Sequence, residues 1–106
     1  MRSAKEETKM EITKMLTIST AHISRDTARK LSDRAYCQQM DTAVFEKDRY
    51  GWWVYCNSVL EDDLGGREWV PDDLWRCMEL ANKNSCEWLC LDSDAQIIEG
   101  LPVYDW

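Results

Sequence analysis

The residues of this chain with the reactivity for catalysis are one histidine, five cysteines and several closely spaced carboxylates. His22 stands in Ser19-Thr20-Ala21-His22-Ile23-Ser24. A thiol activated by that imidazole and steadied by a carboxylate is the chemistry it invites. No spacing selects a partner among Cys37, Cys56, Cys77, Cys86 and Cys90, and such a constellation is set by geometry rather than by order along the chain. A turn histidine bonded to backbone is the plainer role. The cysteines are odd in number and irregular, with three residues between Cys86 and Cys90 and no Cys-x-x-Cys. That pattern predicts reduced thiols in a cytosolic protein rather than a disulfide framework. Asp92-Ser93-Asp94 opens like a calcium loop but lacks its Gly and terminal Glu, and Gly65-Gly66 lacks the Lys and Ser/Thr of a phosphate loop. These residues predict a protein that is not an enzyme and needs no metal or cofactor.

The aromatic residues carry more. Six Trp and four Tyr in 106 residues exceed what so small a core readily hides, which points to a contact surface. In Tyr50-Gly51-Trp52-Trp53-Val54-Tyr55-Cys56, a strand sends Trp52 and Val54 one way and Trp53 and Tyr55 the other. Only one pair can lie under helices, and the sequence leaves open which. Trp69 and Trp75 flank a second feature, the acids Glu61, Asp62, Asp63, Glu68, Asp72 and Asp73, offset only by Arg67. These acids are either a solvated loop and helix start or a patch that meets a basic surface, including one built for nucleic acid. Trp52, Trp53, Tyr55, Trp69 and Trp75 form the candidate aromatic surface.

Charge narrows the partner class. The net charge is -7, yet residues 1–40 hold eight Lys/Arg against five Asp/Glu, while 61–106 hold twelve acids against three bases. An acidic second half repels nucleic acid and anionic lipid, whose binding needs Lys/Arg to displace counterions. A protein partner with a basic surface is expected. Self-association through the aromatic face is compatible with this. The alternative is a small-ligand binder that boxes a nucleotide-like molecule between Trp and Tyr, with His22 and Thr20 as its orienting polar groups. No stretch approaches the roughly 20 apolar residues that span a bilayer. The charged N-terminus lacks a signal-peptide core, so a cytoplasmic location is expected.

The elements that must position these residues follow from periodicity. Residues 1–11 alternate charges and read as a flexible extension to a single domain over 12–106. Ile12–Thr20 alternates with period two, with Leu16 and Ile18 on one face, and predicts a strand. Ser24 reads as an N-cap for a helix over 25–37 with Ala28, Leu31 and Ala35 on its apolar stripe. Strands over 42–47 and 50–57 read as a hairpin, and 58–70 as a loop. Pro71 marks a helix start, and Leu74, Cys77, Met78 and Ala81 form its i, i+3, i+4, i+7 stripe. Cys86–Leu91 predicts an inner strand, Gln96–Ile98 another, and Leu101–Trp106 a tail laid along the sheet. The order β-α-β-β-α-β-β predicts an α+β two-layer sandwich. Its mostly antiparallel sheet carries two helices on one face, a ferredoxin-like core with an added edge strand.

Four segments together resemble a known family: Leu16-Thr17-Ile18-Ser19-Thr20-Ala21-His22-Ile23, Tyr50-Gly51-Trp52-Trp53, Cys86-Glu87-Trp88-Leu89-Cys90-Leu91-Asp92 and Leu101-Pro102-Val103-Tyr104-Asp105-Trp106. They are similar to a family of short bacterial proteins of unknown function (domain of unknown function 5983), often associated with plasmids, phages and integrative elements. The resemblance covers about residues 12–106 and carries over no catalytic or binding residue. It implies a mobile-element accessory protein, for which a host regulatory or defence component is the expected target. The resulting expectation is a non-enzymatic, acidic protein-interaction module.

Overall fold

The computed structural model of the chain describes residues 10–37, 44–56 and 70–106. The expected Gly65-Gly66 loop and the acids Glu61, Asp62, Asp63 and Glu68 lie outside the described residues, as do Trp69 and most of the N-terminal extension. Within them the elements run β1 (Met15–Ser19), a one-turn 3-10 helix (Thr20–His22), α1 (Arg25–Cys37), β2 (Val44–Lys47), β3 (Gly51–Tyr55), α2 (Asp72–Lys83) and β4 (Trp88–Asp92).

Both helices and the β2–β3 turn are set by local chemistry. The Thr27 N–H donates to Ser24 Oγ at 3.2 Å, so Ser24 caps α1. Pro71, with φ −65°, is the cap residue of α2, one position before the first helical residue. Asp72 and Asp73 place negative charge at the positive end of that helix dipole. Between β2 and β3 the chain turns through Asp48, at φ 50°, and closes with Tyr50 N–H donating to the Lys47 carbonyl at 2.9 Å. Gly51 then passes so close to β4 that a Cβ would lie 1.6 Å from the Leu91 carbonyl oxygen. Its φ of 154° also favours glycine.

The four strands form one sheet in the order β1-β4-β3-β2. β1 pairs with β4 in parallel, while β4–β3 and β3–β2 are antiparallel. This is the expected α+β sandwich with a mostly antiparallel sheet, and β4 is the inner strand that its apolar run predicts. The strand order is not that of the expected ferredoxin-like core, in which β1 lies between β4 and β3: here β4, apolar on both sides, takes the inner position and leaves β1 outside it in parallel pairing. The core fills the space between one sheet face and both helices. Leu16, Ile18, Leu89, Leu91, Val54 and Val44 meet Ala28, Leu31 and Ala35 of α1 and Leu74, Cys77, Met78 and Ala81 of α2. Full burial of a side chain such as Leu89 or Met78 stabilises the fold by about 1.5–3 kcal/mol.

The strand expected at Gln96–Ile98 does not form. The Gln96 carbonyl accepts the Ser19 N–H at 3.1 Å, one rung on the outer edge of β1. The next available donor, Ile98 N–H, goes instead to His22 Nε2 at 2.8 Å, so the ladder stops there. The tail beyond it does not lie along the sheet either. Tyr104 N–H donates to the Ala21 carbonyl at 2.7 Å and Trp106 Nε1–H to the Ile23 carbonyl at 2.8 Å. The tail therefore packs past the end of β1, beside the start of α1.

Candidate functional site

Strand alternation and register together decide which aromatics reach solvent. Val54 pairs across to Leu89 and Val44, and Trp52 to Leu91, which are core residues. Trp52 is therefore on the helix side, half-buried against the core, and its indole N–H donates to Ser32 Oγ at 3.2 Å. Trp53 and Tyr55 point the opposite way, toward the face that neither described helix covers. There the register brings up neighbours from every strand: Met15, Trp88 and Tyr55 in one row, and Thr17, Cys90, Trp53 and Phe45 in the next.

The rings on this open face touch. Tyr55 and Trp88 lie 5.1 Å apart between centroids with planes at 59°, and Phe45 and Trp88 are 6.2 Å apart at 39°. Both are tilted arrangements that aromatic quadrupoles favour. Phe45 and Met15 are 44% and 45% exposed, a large apolar surface for a sheet face. At one end Lys47 stands over Trp53, its Nζ 5.7 Å from the ring centroid, and forms an ion pair with Asp92 at 2.5 Å. The hydrogen bond from Lys47 lowers the Asp92 pKa, and the same bond raises that of Lys47. The Lys47 cation on this face is thus already paired. The other end opens into a cleft of about 500 Å3 lined by Tyr55, Trp88, Ile12, Thr13 and two acids, Glu11 and Glu87. Glu87 accepts the Lys14 backbone N–H at 2.8 Å, which fixes its carboxylate at the rim.

Sequence reasoning reached Trp53 and Tyr55 but missed Phe45, Met15 and Trp88. The missing signal is long-range. Cys86–Leu91 is apolar on both sides, so only its register against β3 reveals that Trp88 faces out.

The other residues singled out from the sequence go elsewhere. Trp75 is half-buried against the core, and Asp72 is exposed at the start of α2. Asp73 is 7% exposed and leaves the surface set. Its carboxylate accepts Ser24 N–H at 2.7 Å and the Thr27 hydroxyl at 2.7 Å, binding the start of α2 to the start of α1. Thr20 is half-buried in the 3-10 turn, where its carbonyl accepts the Ile23 N–H. His22 is 1% exposed. Because Nε2 accepts from Ile98, Nδ1 carries the proton and donates to the Pro102 carbonyl at 2.8 Å. Both ring nitrogens are spent on backbone, leaving none to orient a ligand or activate a thiol. The neighbouring Cys77 Sγ reaches the His22 carbonyl, at 4.0 Å, rather than the ring. Burial pushes both Cys77 and Cys56 up to about 12, far from the thiolate that nucleophilic chemistry needs.

Among the described residues no group of three His, Cys, Asp or Glu is arranged to hold a metal ion. None of the described helices is long and apolar enough to cross a membrane. No curated protein and no solved structure matches the chain. Residues 15–106 match the C-terminal domain of a family of unknown function, DUF5983. The match runs from the first residue of β1 through the tail anchored on His22, and so takes in the whole sheet and both helices. The chain belongs to the DUF5983 family.

Proposed function

We propose that this chain is a non-enzymatic protein-interaction module that holds its partner on the open face of the sheet. The observation that carries the reading is the convergence of Phe45, Trp53, Tyr55 and Trp88 on one sheet face that no described helix covers. Trp and Tyr anchor protein interfaces because they bury large rigid area at low entropic cost. The partner presents Lys or Arg among apolar side chains. A cation entering the Tyr55–Trp88 cleft meets two aromatic rings and the carboxylates of Glu11 and Glu87. Stacked bases would find the same rings, but the Lys47 ammonium beside them is already paired with Asp92, and the chain's net charge of -7 disfavours phosphates. The mobile-element association that the family resemblance implies makes a host regulatory or defence protein the target, with inhibition as the outcome.

The test is selection of displayed peptides on the wild-type chain and on a Phe45→Ser, Trp88→Ser double variant. Peptides rich in Lys or Arg beside apolar residues, enriched on the wild type and lost on the variant, are expected. Identical enrichment on both proteins would overturn the reading. So would a salt-resistant dimer in light scattering that the variant dissolves, because the face would then be occupied by a second copy.

A further inference from the structure

The helix side of the same sheet holds a second feature that the interaction reading does not use. Trp52, on β3, and Trp106, in the tail, line a groove of about 410 Å3 whose other wall is the exposed side of α1. That volume falls in the range of about 300–1,000 Å3 that small-molecule sites occupy. We propose that this groove is a binding site for a free small molecule consisting of a planar ring that bears an anionic group.

The two indoles are fixed in place. Trp52 Nε1–H donates to Ser32 Oγ and Trp106 Nε1–H to the Ile23 carbonyl. With those donors satisfied inside the protein, what the rings offer the groove is apolar, polarisable surface suited to stacking. Ala28 supplies a floor without bulk between them. The charged groups lie along one stripe of α1 at four-residue spacing: Arg25, then Arg29, then Asp33, all exposed. Among the described residues neither arginine forms an ion pair. The positive end of the α1 dipole lies at the Arg25 end and adds to their field.

This order orients the ligand. Its anion sits toward Arg25 and Arg29, away from Asp33, where guanidinium forks match carboxylate or phosphate oxygens. Its ring then lies toward Trp52 and Ser32. The Ser32 hydroxyl accepts from Trp52 and keeps its own proton for an acceptor on the ring. A polyanion does not fit the same logic, because each further phosphate meets a chain of net charge -7.

Titration of the tryptophan fluorescence with four probes tests this. Adenosine monophosphate and indole-3-acetate each combine ring and anion, and they separate a phosphate ligand from a carboxylate one. Adenosine and inorganic phosphate supply the halves. Saturable quenching by at least one of the first pair, at least about tenfold tighter than by either half alone, is expected. In an Arg25→Gln, Arg29→Gln variant, with its melting temperature unchanged, that affinity falls by roughly tenfold or more. Absence of saturation by both ring-bearing anions at millimolar concentration overturns the site, as does equal affinity in the variant. The Phe45→Ser, Trp88→Ser protein should retain this binding, so failure here and failure of the open-face reading are separately visible.

Discussion

Trp52 and Trp53 are neighbours in sequence and have opposite fates. One packs under α1 with its N–H committed to Ser32. The other lies on the opposite face, beneath the Lys47 ammonium. The helix side is built by close packing among residues distant in sequence, and its polar groups are bonded inward: Asp73 to Ser24 and Thr27, His22 to Ile98 and Pro102. Among the described residues the open side is held by ring against ring and by the Lys47–Asp92 surface ion pair. Close packing therefore dominates one side of the sheet, and exposed apolar side chains such as Phe45 and Met15 lie on the other.

The strongest way to break this arrangement is at the seam both faces share. Gly51→Ala puts a methyl where the Leu91 carbonyl oxygen stands, 1.6 Å away, and the obstacle is backbone. The β3–β4 pairing must open, and a loss of more than about 4 kcal/mol is expected, as for other backbone-level clashes. Chemical denaturation followed by circular dichroism measures it. A variant that melts within a few degrees of the wild type would show that β3 can shift, and the register that separates the two faces would then be wrong.

A milder test separates the faces themselves, using adjacent residues of β4. Leu89→Ala removes a core side chain and should cost about 2–5 kcal/mol. Trp88→Ala removes a larger but only half-buried side chain from the open face and should cost about 1–2 kcal/mol, less than Leu89→Ala, since the space it leaves is open to water. Equal costs, read from denaturation midpoints, would mean that Trp88 is as structural as Leu89.

What the sequence disclosed and what it hid divide along the same line. The stripes of α1 and α2 and the alternation of β1 are local periodicities. Pro71 and Ser24 mark their helices by local backbone chemistry. The open face is not local. It needs Phe45, Trp53 and Trp88 in register across three strands, and nothing in the spacing of those residues specifies that pairing. Asp73 misled for a related reason. A first-turn acid looks like a surface charge complementing the dipole, and only the fold brings Thr27 to it from 46 positions away. The expected strand at Gln96–Ile98 failed because His22, a distant side chain, takes the N–H of Ile98 that its ladder required.

The smallest expected effect is at the Lys47–Asp92 pair, which closes one end of the open face. Its two partners predict a two-sided pH signature. The bond to Lys47 lowers the Asp92 pKa, so its contribution is present above the ordinary carboxylate value and fades as pH falls through the lowered one. The bond to Asp92 raises the Lys47 pKa, so that contribution is present below the ordinary lysine value and fades as pH rises through the raised one. Lys47→Met is the cleaner probe, because Asp92 also accepts the Asp94 N–H at 2.8 Å. The stability difference between wild type and Lys47→Met should be flat through neutral pH, shrink at both acid and alkaline ends, and weaken in high salt, as exposed pairs do. A difference that ignores pH and salt would mean that the lysine stem over Trp53, not its charge, holds that end of the face.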